Sequence, residues 1–121
     1  SRFATKANNY FGQWCFSKGC GLIPLRRNAG TKHEVRKFSS AQGSVRSYLM
    51  NLNTGHAYEE IRAMRAKARK DGKKLSGMQL AAGLSKYSER GEEYVKELRS
   101  MISYNKLVEK YDGQFWAALA K

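Results

Sequence analysis

The chain has 121 residues, 41% of them hydrophobic, with 23 Lys and Arg against 10 Asp and Glu for a formal net charge of +13. That length predicts one domain with a real core, and no apolar run approaches the ~20 residues needed to cross a bilayer. A field this positive attracts polyanions, so nucleic acid and acidic cell-wall polymer both enter as partner classes.

The first element is a turn. Asn8-Asn9 before Phe11-Gly12 combines side chains that hydrogen-bond nearby backbone with a glycine that frees the chain to bend. Tyr10, Phe11, Trp14 and Phe16 crowd the same stretch. Aromatic rings of this density either pack a core or form a platform for sugar rings, with Asn8, Asn9 and Gln13 meeting hydroxyl or N-acetyl groups.

Cys15 and Cys20 follow with four residues between them. Gly19 and Gly21 supply bends that bring the two Cα atoms within the ~4.4–6.8 Å of a disulfide, which would suit an exported protein. Two reduced, packed thiols are the other reading. Zinc needs four ligands, or three plus water, and only His33 and His56 are available to join the cysteines, without recognisable spacing, so no metal site is expected.

Residues 21–38 read as a hairpin lobe, with Leu22 to Arg27 and Thr31 to Phe38 as strands around Asn28-Ala29-Gly30. Pro24 confines the first strand to an edge. His33 and Glu34 are the groups here suited to acid–base work; Glu34 would otherwise pair across the strands with an Arg or Lys.

Residues 39–104 read as helices. Ser39 with Gln42 forms a capping box, ahead of Ala41, Val45, Tyr48, Leu49 and Leu52 on one face. Tyr58, Ile61, Met64 and Ala68 line a second helix, ended by Asp71-Gly72. Ser76 caps a short third one with Leu80, Ala81 and Leu84. A fourth starts near Ser88 and carries Tyr94, Val95, Leu98, Met101 and Ile102 inward, with Glu92 and Glu93 where the helix dipole favours acids. Residues 105–121 form a tail in which Phe115, Trp116 and Leu119 make an amphipathic end. The basic run from Arg62 to Lys74 is either a solvated helix face or a polyanion surface. No zinc-finger, RNA-recognition or hnRNP-K-homology signature accompanies it, so no specific nucleic acid is expected.

The opening run resembles the bacterial N-acetylglucosaminidases of glycoside hydrolase family 73, whose pattern runs Glu-Ser-x-Trp-Gly-x-Ser and then Asn-Asn-x-Phe-Gly. Ser1 matches the last Ser of the first element; Asn8, Asn9, Phe11 and Gly12 match the second. The likeness extends over roughly residues 1 to 105 and is strongest to the Bax-like branch of gamma-proteobacteria. Two departures stand out. Lys37-Phe38-Ser39-Ser40 with Ser47-Tyr48 replaces two residues of the family's Tyr-x-Ser and Asp-Tyr elements. The stretch from Tyr87 to Tyr94 keeps both tyrosines of the family's Gly-Tyr-Ala-Thr-Asp-Pro-x-Tyr but lacks Asp-Pro and is longer.

The resemblance implies a mostly α (α+β), lysozyme-like helical domain with a small β-hairpin lobe, present as a single partial domain over residues 1–121. It implies an exported, periplasmic or cell-envelope peptidoglycan hydrolase that needs no cofactor, although similar domains also act on glycoproteins or as amidases. Asn8, Asn9, Phe11, Trp14 and Tyr94 would bind substrate. Tyr87 would sit in the catalytic cleft, with Glu34 as a candidate second carboxylate. The family's general-acid glutamate would lie before Ser1, in keeping with a first residue other than Met, so this fragment should bind glycan and cleave it poorly. A non-catalytic peptidoglycan-binding module is the alternative from another class, and a basic nucleic-acid-binding domain is the second.

Overall fold

The computed structural model describes residues 1–112. The fold is mostly helical with one small antiparallel sheet, the expected α+β class. Its contacts gather into two compact units, Ser1–Asn51 and a second beginning at Leu52.

The first unit opens with α1 (Arg2–Ala7), which Asn8 ends in the left-handed conformation at φ 51°. Asparagine tolerates that conformation because its short polar side chain bonds locally. The Asn8 and Asn9 amides then close back on the Ala4 and Phe3 carbonyls at 3.2 and 3.0 Å.

The sheet differs from a simple hairpin. It has three strands, β1 (Trp14–Cys15), β2 (Gly21–Leu22) and β3 (Glu34–Arg36), in the order β1-β3-β2. β3 pairs on one side with β1, Trp14 opposite Val35 and Cys15 opposite Glu34, and on the other with β2, Leu22 opposite Val35 and Gly21 opposite Arg36. The expected strands through Arg27 and from Thr31 do not form: residues 23–33 are a long connection containing a turn in which the Thr31 amide bonds the Asn28 carbonyl. Pro24, with no N–H, cannot extend the β2 ladder.

Gly21 is required where it stands, since a Cβ there would lie 1.9 Å from the Val35 carbonyl oxygen. The two cysteines are joined, with Cα atoms 6.3 Å apart. Their disulfide closes the loop between β1 and β2.

Helix α2 (Ala41–Thr54) begins after Ser40, not Ser39. The Gly43 amide donates to Ser40 Oγ at 3.1 Å, so the cap sits one residue later than the Ser39–Gln42 reading. Its most buried residue is Ser44, whose hydroxyl donates to the Ala41 carbonyl, while Val45 and Leu49 of the expected apolar face are exposed. Tyr48 and Leu52 of that face are half-buried.

The second unit follows its sequence pattern closely. A 3₁₀ turn (His56–Tyr58) leads into α3 (Glu59–Lys70), then α4 (Gly77–Leu80), a second 3₁₀ turn (Ala81–Leu84) and α5 (Glu92–Tyr104), with a π-helical turn at Val108–Asp112. Ser76 and Gln79 form a complete capping box on α4. Tyr58, Ile61 and Leu84 are the buried centre, with Leu52, Leu80, Tyr87, Tyr94 and Leu98 packed around them. Gly83 allows the closest approach, because a Cβ on it would come within 2.8 Å of Ile61 Cβ. α5 starts at Glu92 after Gly91, which takes φ 58°, and Met101 faces solvent instead of the core. The expected amphipathic end at Phe115, Trp116 and Leu119 lies outside the described residues.

Candidate functional site

In the first unit the Asn8-Asn9-Tyr10-Phe11-Gly12 turn is built around Asn9, which is only 2% exposed. Its Nδ2 donates to the Gln13 and Arg36 carbonyls, both at 2.9 Å, while its Oδ1 accepts from the Phe11 and Gln13 amides at 3.3 and 3.1 Å. Every hydrogen-bonding position of that amide is occupied. Asn9 therefore holds the turn against β3. Asn8 is half-buried and likewise turned inward, its Nδ2 donating to the Phe38 carbonyl at 3.0 Å.

Phe11 stacks on Tyr48 of α2, centroids 4.1 Å apart and planes at 3°. Gln13, two residues on, donates from Nε2 to the Ser44 carbonyl and accepts from the Ser47 hydroxyl, at 2.9 and 2.7 Å. Gln13 thus fastens the turn to α2. Its presence beside the aromatics was visible in the sequence, but its partners lie more than 30 residues away.

Trp14 is presented outward on a supporting ring. Its indole stacks on the buried His33 imidazole, centroids 3.8 Å apart and planes at 11°, and stays 45% exposed. The His33 carbonyl accepts from Arg27 Nη1 at 2.6 Å, which fixes the strand end behind the ring. Tyr10 and Phe16 are also exposed. An indole supported on one side and open to solvent offers an apolar surface to the C–H face of a sugar, the amphipathic use to which aromatic side chains are suited.

Glu34 is buried, and its two oxygens accept from backbone amides instead of pairing with an Arg or Lys across the strands. Oε2 takes the Gly19 amide at 2.9 Å and Oε1 the Gly21 amide at 3.0 Å. Those two bonds, first Gly19 and then Gly21, hold its carboxyl below the ordinary value against the opposing effect of burial, with Arg27 and Lys18 adding to the lowering. A carboxylate so stabilised as the anion is a poor proton donor. Glu34 thus ties down the disulfide loop through both of its oxygens.

In the second unit the two tyrosines singled out from the sequence lie side by side. Tyr87 stacks on Tyr94 at 5.7 Å and meets Tyr58 at 6.0 Å. Burial, followed by the fields of Tyr58 and Glu97, pushes the Tyr94 hydroxyl above its ordinary value. Tyr94 is therefore a neutral hydrogen-bond donor throughout the physiological range. Tyr58 was readable as a core residue; its place in this cluster comes from the packing of α3 against the turns around Leu84.

The Arg62–Lys74 run is partly structural. Arg62 Nη1 donates to the Leu52 and Gly55 carbonyls at 3.1 and 2.7 Å, Arg65 to Asn53 Oδ1 at 2.9 Å, and Lys67 pairs with Asp71 at 2.7 Å. Among the described residues no group of three or more His, Cys, Asp or Glu side chains is placed to hold a metal ion, and the cysteines are in the disulfide.

Over 105 residues, 87% of this chain, the sequence is 33% identical to Protein bax of Escherichia coli strain K12. The chain spans 36% of the length of that protein. No family model matches the sequence, and no solved structure matches it.

Proposed function

We propose that this chain is most of a cell-envelope glucosaminidase domain that binds peptidoglycan and, completed by a glutamate encoded before Ser1, cleaves the β-1,4 bond after N-acetylglucosamine. The observation that carries the reading is the Asn8–Gly12 turn. Its two asparagines are committed to backbone and its Phe11 to Tyr48, so the motif that resembles family 73 works as a brace that leaves Trp14 facing outward. The disulfide and the positive charge agree with a protein of the cell envelope, and the similarity to Protein bax covers 87% of the chain.

In this reading Trp14 binds a sugar ring by its open face. Tyr87, with Tyr94 packed against it, supplies a hydroxyl for an N-acetyl group or the cation developing at the anomeric carbon. Neither tyrosine replaces a carboxylic acid, because a phenol near pKa 10 is too weak to protonate a leaving glycosidic oxygen at neutral pH.

Release of soluble muropeptides from purified peptidoglycan tests this. Residues 1–121 alone should release none above background. The same chain extended through the upstream segment should release them, and changing the upstream glutamate to Gln should abolish the release. Robust release by residues 1–121 alone would overturn the assignment of the acid.

A further inference from the structure

The segment Ile23–Arg27 takes no part in the turn or the tyrosine cluster. It leaves β2 directly, and Ile23 is 60% and Leu25 84% exposed, with Arg26 and Arg27 exposed beside them. One exposed aliphatic residue is ordinary; two within three residues, flanked by two guanidinium groups, form a surface of defined character. The segment is held at both ends. Arg2 Nη1 makes a long hydrogen bond of 3.4 Å to the Ile23 carbonyl, and Arg27 Nη1 a short one of 2.6 Å to the His33 carbonyl.

Charge narrows the partner. Residues 1–51 carry nine Lys and Arg against a single carboxylate, Glu34, which is turned into the disulfide loop. Among the described residues none of those nine is in an ion pair; the pairs all lie in the second unit. The complementary surface is anionic and has an apolar layer. A nucleic acid would satisfy the arginines and leave Leu25 and Ile23 in water. A phospholipid surface takes both groups, the guanidiniums at the level of the phosphates and the aliphatic tips at the acyl boundary.

We propose that Ile23–Arg27 is an interfacial anchor that docks this unit on an anionic lipid surface. The contact is peripheral, and no helix among the described residues is long and apolar enough to cross a membrane. Each arginine near such a surface strengthens partitioning about fivefold, and Leu25 about tenfold or more, so the aliphatic and basic groups are both needed for stable docking.

Co-sedimentation of residues 1–121 with phosphatidylglycerol vesicles, and separately with phosphatidylcholine vesicles, tests the proposal. Binding should be confined to the anionic vesicles and weaken as salt rises. Leu25→Ser should lower it about tenfold, Leu25→Phe should retain it, and Arg26→Gln should lower it about fivefold. Leu25→Ser should leave binding to insoluble peptidoglycan unchanged, which separates this surface from the glycan site. Absence of vesicle binding, equal binding by the Leu25→Ser protein, or displacement from vesicles by stoichiometric duplex DNA would overturn it.

Discussion

Asn9 pairs with both backbone groups of Gln13: its Nδ2 donates to the Gln13 carbonyl at 2.9 Å, and its Oδ1 accepts the Gln13 amide at 3.1 Å. One buried side chain thereby does for residue 13 what a neighbouring strand would do. The same Nδ2 reaches Arg36, so the turn and β3 are locked through one amide.

Asn9→Asp is the most informative substitution at this position. A carboxylate keeps the shape and the acceptors but cannot donate to the Gln13 and Arg36 carbonyls, and it brings a buried charge. Loss of two donors at ~1–3 kcal/mol for each stranded group predicts destabilisation of about 3 kcal/mol. Chemical denaturation of the wild-type and Asn9→Asp proteins measures this; a change under about 1 kcal/mol would show that the amide donors are dispensable.

This bond set also marks the limit of what the sequence discloses. The second unit is legible because Tyr58, Ile61, Met64 and Ala68 recur at helical spacing, and because Ser76 and Gln79 form a local box three residues apart. In the first unit, strands of two or three residues are too short to show alternation, so β1 leaves no mark in the sequence and the strands around Asn28-Ala29-Gly30 are shorter than their β-branched content suggests. The Ser39–Gln42 box is displaced by one residue because the Gly43 amide finds the hydroxyl of the adjacent Ser40. The roles of Asn9 and Glu34 depend on partners 27 and 15 residues away that no spacing reveals. Of the candidate residues, the sequence singles out Tyr87 and Tyr94 in the second unit and Trp14 beside the turn in the first, but not the imidazole that backs the indole.

Glu34 predicts a pH dependence of definite sign. The Gly19 and Gly21 amides lower its value in the folded state below the ordinary 4.5. Its contribution to stability is therefore complete above 4.5 and is lost as the pH falls through the lowered folded value. Melting temperature followed from pH 7 downward should drop more steeply in the wild type than in Glu34→Gln, which has no such proton to take up. Parallel curves for the two proteins would contradict the account.

The Cys15–Cys20 disulfide should persist in oxidised protein, so alkylation without reductant should leave the intact mass unchanged. Its loop is short, and chain-entropy arguments give it about 2 kcal/mol. Reduction, or replacement of both cysteines by Ser, should lower stability by that order without unfolding the chain. Two alkylated thiols in the oxidised sample would refute the pairing.

Two glycines of the second unit should respond oppositely to Ala. Gly83→Ala drives a methyl to within 2.8 Å of Ile61 Cβ and should cost about 1–3 kcal/mol. A Cβ at Gly77, in the first turn of α4, meets nothing within 4 Å. Gly77→Ala should be neutral or stabilising by about 0.4–1 kcal/mol through reduced freedom of the unfolded chain. Thermal denaturation of the two variants decides it; a stable Gly83→Ala protein would mean the α3 contact is loose.

The central claim is that the first unit recognises peptidoglycan through Trp14. Co-sedimentation of residues 1–121 with insoluble peptidoglycan over a salt series, with Trp14→Ala alongside, tests it most directly. The account predicts binding that weakens as salt screens the positive charge over ~8 Å at physiological ionic strength, and a loss of about tenfold in Trp14→Ala at every salt concentration, from the apolar surface of the ring. Equal binding by the Trp14→Ala protein, or tighter binding of duplex DNA than of peptidoglycan at matched salt, would contradict it.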